Sequence, residues 1–176
     1  RIDSTGEIKW IINPYNDFGS AREILIENNK IYVIGSLSYG VFLIYDMDGN
    51  LLKECKYDTF YCQPRFCSAY LDSDNSFIIS GYVEHCESEN SSGPDIAILK
   101  IDTSGTILWN KTYDFRNALG TAGPQGKYTD YGGFVLAKAS DGGIVTNGMS
   151  KYSRSTPGGV LHEDALLIKT EAPTLT

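Results

Sequence analysis

Histidine, methionine and tryptophan each occur only twice in these 176 residues, and cysteine four times. That scarcity excludes several chemistries. His85 and His162 stand in different segments, and Asp164 beside His162 makes only a weak dyad. No Gly-x-Ser-x-Gly elbow supplies a nucleophile, so no catalytic residue is expected. Adjacent cysteines, which a quinone pocket would use, are missing, and no cofactor is expected. No Cys-x-x-Cys pair exists, which weakens a zinc or thioredoxin-like reading. The stretches DMDGN at 46–50 and DSDNS at 72–76 lack the full ligand spacing of a calcium loop. Their twelfth positions are Tyr57 and Val83 in place of glutamate, so both are read as hairpin turns and no metal site is expected. The sialidase Asp-box also fails, because its Asp, Gly and Trp are spaced more tightly. Basic clusters are lacking: 15 Lys and Arg stand against 22 Asp and Glu, a net charge of −7. An acidic chain of this kind argues against nucleic acid and anionic membrane surfaces. No apolar run approaches a membrane span, so no membrane insertion is expected.

Glycine (18) and tyrosine (12) are abundant, which suits many turns and many strands. The turn glycines Gly6, Gly49 and Gly105 set a ruler, 43 and 56 residues apart. Around each, aspartate stands three residues before and an aliphatic residue two after: Asp3 and Ile8, Asp46 and Leu51, Asp102 and Ile107. Trp10 and Trp109 follow their glycines by four, where the middle copy has Lys53. Short aliphatic runs ending on Gly35, Gly81 and Gly148 repeat after Asn/Asp/Gly turns. VFLIYD, IAILKID and ALLIKTE form a third recurring run.

Each unit therefore reads as four strands, A to D. In the second unit these lie near FCSAYLDS, SFIISGYV, DIAILKID and TILWNKTYD. Strand C is apolar at successive residues, Ile96 to Leu99, which suits a strand covered on both faces. Helical periodicity is absent apart from the ambiguous AREILIE at 21–27. The predicted class is all-β: tandem four-stranded antiparallel blades of a partial or oligomer-completed β-propeller. Strand D of a first blade spans 1–18, blades follow at 19–60 and 61–115, and strands A to C of a last blade span 116–176. Arg1-Ile2-Asp3 is already strand-and-turn material, so either targeting elements have been removed or the chain is a piece of a longer one. The flanks of the end blades are expected to be covered by other protein chains or by the rest of a longer chain.

The run Ile101-Asp102-Thr103-Ser104-Gly105-Thr106-Ile107-Leu108-Trp109-Asn110-Lys111-Thr112-Tyr113, with Asp141-Gly142-Gly143-Ile144-Val145-Thr146-Asn147-Gly148, resembles the repeats of secreted bacterial and archaeal propellers. It also looks like the tryptophan-docking turn of quinoprotein-type blades. The first unit departs from that pattern at Lys53 and at Asn28-Asn29-Lys30. The resemblance implies an extracellular, cell-surface or periplasmic scaffold or binding protein and no particular reaction. The tryptophans are expected to pack between blades.

Strand direction puts the B–C and D–A connections at one end of the blades and the A–B and C–D turns at the other. The long segments 84–94, 115–130 and 151–163 all belong to the first end. The candidate binding residues there are His85, Glu87, Tyr128, Tyr131, Tyr152, Arg154 and His162, with protein or carbohydrate as partner. Asn90-Ser91-Ser92 is a glycosylation acceptor pattern in the same face, and Asn110 in strand D is a poorer one. The four clustered cysteines read as disulfides of an oxidising compartment. If Ser73 faces Ser76, position 63 faces Cys86 and Cys67 faces Tyr82. Cys62–Cys86 is then the favoured pair, and Cys55–Cys67 is left to join neighbouring blades. Binding or scaffolding is the leading function. The alternatives are part of the catalytic propeller of a secreted hydrolase or quinoprotein-like enzyme, and a purely structural assembly subunit.

Overall fold

A computed structural model of the protein describes residues 1–12, 19–36, 38–58, 64–83, 94–113, 127–153 and 161–171; at 127–131, 150–153, 161–164 and 166 it is the backbone that is described. The repeated Asp-x-x-Gly stretches fold into one and the same turn. Gly6, Gly49 and Gly105 have φ of 86°, 91° and 84°, a left-handed conformation that costs a residue with a Cβ about 1 kcal/mol or more. In each turn the glycine N–H donates to the carbonyl of Asp3, Asp46 or Asp102. The Oδ1 of that aspartate accepts the backbone N–H groups two and four residues on: Thr5 and Glu7, Asp48 and Asn50, Ser104 and Thr106, all at 2.8–2.9 Å. The aspartate satisfies donors that the tight reversal leaves without a ladder partner.

Between these turns run β1 (Ser20–Glu27), β2 (Lys30–Ser36), β3 (Gly40–Asp46) and β4 (Leu51–Tyr57), a four-stranded antiparallel sheet in sequence order. A second sheet comprises β5 (Pro64–Leu71), β6 (Phe77–Val83), β7 (Asp95–Ile101) and β8 (Ile107–Tyr113). The third has three strands, β9 (Lys127–Lys138), β10 (Ile144–Ser153) and β11 (Leu161–Lys169). The amino-terminal residues form a small hairpin, with Ile2 bridged to Ile8. The ambiguous AREILIE is strand, paired along β2: tertiary pairing overrides a short stretch of mixed propensity. Asn28 and Asn29, both at positive φ, make the two-residue reversal that matches strand twist.

The second recurring glycine has its own cause. Strand A of each sheet carries a register shift: at Ala21/Glu23 in β1, at Phe66/Ser68 in β5, and opposite Thr146/Gly148 in β9. Gly35, Gly81 and Gly148 sit opposite Ala21, Phe66 and Gly132 at those bulges. A Cβ on Gly35 would overlap the Ser20 carbonyl oxygen, and one on Gly81 the Arg65 carbonyl oxygen. The bulge pushes its backbone onto the partner strand, and only hydrogen fits there.

The sheets stack face to face in chain order. Tyr32, Ile34, Phe42 and Ile44 of the first meet Phe66, Phe77, Ile79 and Leu99 of the second. Tyr32, Phe42 and Phe77 form a ring cluster with centroids 4.7–5.6 Å apart; each such pair is worth about 0.5–1.5 kcal/mol beyond its burial. Ile78 and Ile98 on the other face of the second sheet meet Ile144 and Leu136 of the third, with Trp109 packed alongside. Every residue of β7 is buried, as its unbroken apolar run predicts. On the far side of the first sheet, Trp10 and Ile12 cover Ile31, Leu43 and Tyr45. Both tryptophans thus pack against sheet faces, each with its indole N–H buried and without a hydrogen-bond partner. Ring atoms of Trp10 lie against Gly49, the tryptophan of one unit docked on the turn of the next. In the middle copy Tyr57 and Cys55 take that place on Gly105, and Tyr57 Oη donates to its carbonyl at 2.6 Å.

The described residues form three stacked sheets and no closed ring. Cys55 and Cys67 are free thiols, so the bridge expected between them is not made. Cys55 Sγ donates to the Ser104 carbonyl at 3.5 Å and Cys67 Sγ to the Arg65 carbonyl at 3.6 Å. The stacking lays β4 over the β7–β8 turn, at the opposite edge of the second sheet from β5. The β5–β6 register also differs from expectation: Leu71 faces Phe77 and Pro64 faces Val83, with Cys67 at the bulge. Cys62 and Cys86 lie outside the described residues.

Candidate functional site

Strand direction sorts the connections as the alternation requires. The tight turns at Asn28–Asn29, Asp46–Asn50, Asp72–Ser76, Asp102–Thr106 and Ala139–Gly143 belong to one end. The connections β2–β3, β4–β5, β6–β7, β8–β9 and β10–β11 belong to the other. Parts of the two segments expected as loops, 115–130 and 151–163, are strand: β9 begins at Lys127, β10 runs to Ser153 and β11 starts at Leu161. Tyr128-Thr129-Asp130-Tyr131 has the β-favouring residues to extend a sheet. One consequence is a direct juxtaposition. Tyr152 in β10 pairs with Tyr128 in β9 on one side and His162 in β11 on the other, so three of the seven candidates share one cross-strand row. Tyr131 pairs with Met149, three positions nearer the turn end. His85, Glu87, Arg154 and the acceptor Asn90 lie outside the described residues.

Other aromatic groups gather near the same end. Tyr82 at the end of β6 meets Phe134 of β9 edge to face, with centroids 6.5 Å apart, and Phe134 is exposed. Lys56 Nζ lies 5.3 Å from the centroid of Tyr39. The Tyr39 hydrogen bond, with Glu54 beside it, holds the Lys56 amine above its ordinary range. Sequence reasoning missed Tyr39, Lys56, Tyr82 and Phe134. Tyr82 directly follows the strand-B glycine and Phe134 lies at the third bulge, so counting repeat positions would have found both. Asp95, at the same end, is buried.

The turn end is electrostatic. Lys100 is buried, with Nζ 2.7 Å from Asp74 and 3.2 Å from Asp72; Asp72 also takes Lys138 from the third sheet. The Lys100 hydrogen bond, with help from Ser76, draws Asp74 down to about 2. Burial works to raise Asp72, but Lys138, the Ser73 N–H and Lys100 outweigh it and its carboxyl is lowered. Lys169 pairs with Asp141 at the matching place in the third sheet. The recurring Lys of strand C and Asp of the A–B turn are thus partners. Burial works to raise Asp102, but the Ser104 hydroxyl and the backbone N–H groups of Thr106 and Ser104 outweigh it and its carboxyl is lowered, with a smaller contribution from Lys53, which stands where the other copies have tryptophan.

No protein-family model matches the chain, and no curated protein matches it either. What is established is an all-β fold of repeated antiparallel sheets; the propeller likeness stays a likeness of motif. Among the described residues no three His, Cys, Asp or Glu side chains converge on a possible metal position, and no helix is long and apolar enough to cross a membrane.

Proposed function

We propose that this chain is an extracellular or cell-surface β-propeller segment with a binding or scaffolding role and no catalysis of its own, and that the end bearing the long connections is its interaction surface. One observation carries the reading: Tyr128, Tyr152 and His162 fall into a single cross-strand row at that end. The opposite end is closed by short turns whose side chains hydrogen-bond their own backbone. Tyrosine and histidine offer flat apolar rings with polar tips, suited to a carbohydrate face or a protein surface.

The test separates binding from turnover. The protein is applied to neutral and acidic glycans and, in parallel, to chromogenic glycosides and esters. Retention without turnover, lost in Tyr152→Ala and kept in Asp48→Ala at the turn end, supports the proposal. Turnover that disappears in His162→Ala would replace it with the hydrolase reading.

A further inference from the structure

β8 is an outer edge of the second sheet: it pairs with β7 on one side and with no described strand on the other. It also carries the acceptor pattern Asn110-Lys111-Thr112, which the sequence alone ranks below Asn90 because it lies in a strand. Exposure changes that ranking. Asn110, Lys111 and Thr112 are all exposed. Asn110 and Thr112, two residues apart on an extended strand, share one face. Leu108 shares it too and is 50% exposed. The amide and the hydroxyl that an N-glycosylation acceptor requires thus stand together in the open.

The first sheet supplies the comparison. Counted from the turn glycines Gly49 and Gly105, Leu52, Glu54 and Lys56 of β4 correspond to Leu108, Asn110 and Thr112 of β8. The registers agree: Glu54 pairs with Leu43, and Asn110 with its counterpart Leu99. β4 is likewise an outer edge. There the two positions hold a charged pair, Lys56 Nζ lying 3.3 Å from Glu54. Charges along an open edge discourage pairing with a strand of another chain. β8 has neither charge at those positions. Lys111 stands on its opposite face, with Nζ 5.2 Å from the Tyr113 ring centroid. Beside Leu108, the open edge of β8 carries two neutral side chains, and together they make the acceptor pattern.

We infer that Asn110 is N-glycosylated, and that its glycan does on β8 what the charged pair does on β4. In the transfer, Asn110 Nδ2 attacks C1 of the first sugar of a polyprenyl-phosphate-linked oligosaccharide. The N–C1 bond forms and the C1–O bond to phosphate breaks. The phosphate leaves with the bonding electrons, and the amide gives one proton to a base of the transferase. Thr112 supplies the hydroxyl by which the acceptor is recognised. Both side chains are exposed in the fold, so the sugar is carried without opening a sheet junction. A bulky, hydrated chain of sugars at Asn110 covers Leu108 and screens the open edge from other strands. The inference rests on the extracellular reading above, because transferases that use such lipid-linked donors act on chains that have left the cytosol.

The protein captured from its own cells, with an antibody raised against the recombinant chain, tests it. The cell fraction is recorded, and the tryptic peptide Ile101–Lys111 is weighed by mass spectrometry. The expected result is an extracellular protein whose peptide carries the added mass of a glycan on Asn110. In chains sent through a eukaryotic secretory pathway, Asn90→Gln and Thr112→Ser should keep that mass, while Asn110→Gln and Thr112→Ala should lose it. The Asn110→Gln chain should also self-associate more than the glycosylated one at equal concentration, and equal sedimentation would refute the screening role. An extracellular protein with Asn110 bare, or with sugar on Asn90 alone, overturns the inference and leaves the extracellular reading standing. A protein confined to the cytosol with Asn110 bare overturns both.

Discussion

At the scale of single residues, Gly6 and Gly105 have the same backbone conformation and different surroundings. A Cβ at Gly6 meets nothing within 4 Å, whereas one at Gly105 would overlap Cys55 Sγ. Gly6→Ala should therefore cost only the left-handed strain, about 1 kcal/mol. Gly105→Ala should cost about 2–3 kcal/mol, because the junction between sheets one and two must open as well. Urea unfolding of both variants measures the difference, and equal losses would refute this account of the docked turn. Tyr57→Phe removes the hydrogen bond to the Gly105 carbonyl and leaves that oxygen short of a donor. A loss of about 1 kcal/mol is expected in the same assay.

Among the elements, the turns and strands were legible in the sequence because each has a local cause. Asp-x-x-Gly states its own turn, and the all-apolar run Ile96–Leu99 states a strand with two covered faces. The bulges were not legible as bulges. Their mark was the glycine on the partner strand, Gly35, Gly81 and Gly148, and its reason appears only once Ser20 or Arg65 is seen pressed against it. The Cys55–Cys67 pairing failed because it assumed that sequence neighbours in strands D and A meet; stacking sets β4 over the β7–β8 turn instead. The row Tyr128–Tyr152–His162 is half legible in the sequence: its members stand in the long connecting segments, and their alignment depends on a strand register that one sequence does not state. Gly81→Ala gives this scale its prediction. The new methyl would overlap the Arg65 carbonyl on one side while Gly133 of the third sheet approaches from the other. A loss of about 3 kcal/mol or more is expected, larger than at either turn glycine, and thermal unfolding would show it.

For the whole molecule, acid is the informative variable. Asp3, Asp46, Asp72, Asp74, Asp102 and Asp141 are all lowered from the ordinary 3.8, Asp74 to about 2. A carboxyl depressed in the folded state contributes stability that is present above its unfolded value and lost as pH falls through its folded one. Melting temperature should stay nearly level from pH 7 to about pH 5, then fall between about pH 4 and pH 2; a constant value across the acid window would contradict this. Lys100→Met should cost about 2 kcal/mol at neutral pH, since it strips a buried cation from Asp72 and Asp74. The gap between variant and parent should narrow by pH 2, where those carboxyls take up protons.

Each sheet is a meander, and among the described residues the first packs on the second and the second on the third. Gly81 facing Gly133, with Ser80 Oγ donating to the Gly133 carbonyl at 2.8 Å, shows how close the second and third sheets approach: that junction is set by residues of the two adjoining sheets. A gene encoding such a chain can lengthen by copying one unit, and the newcomer meets a surface already shaped for it. The second interval between turn glycines is 56 residues where the first is 43, and the excess lies mostly at the end away from those turns. Units of this kind can differ in length at that end and keep the same turns and the same packed faces, so new side chains can be offered there on an unchanged stack.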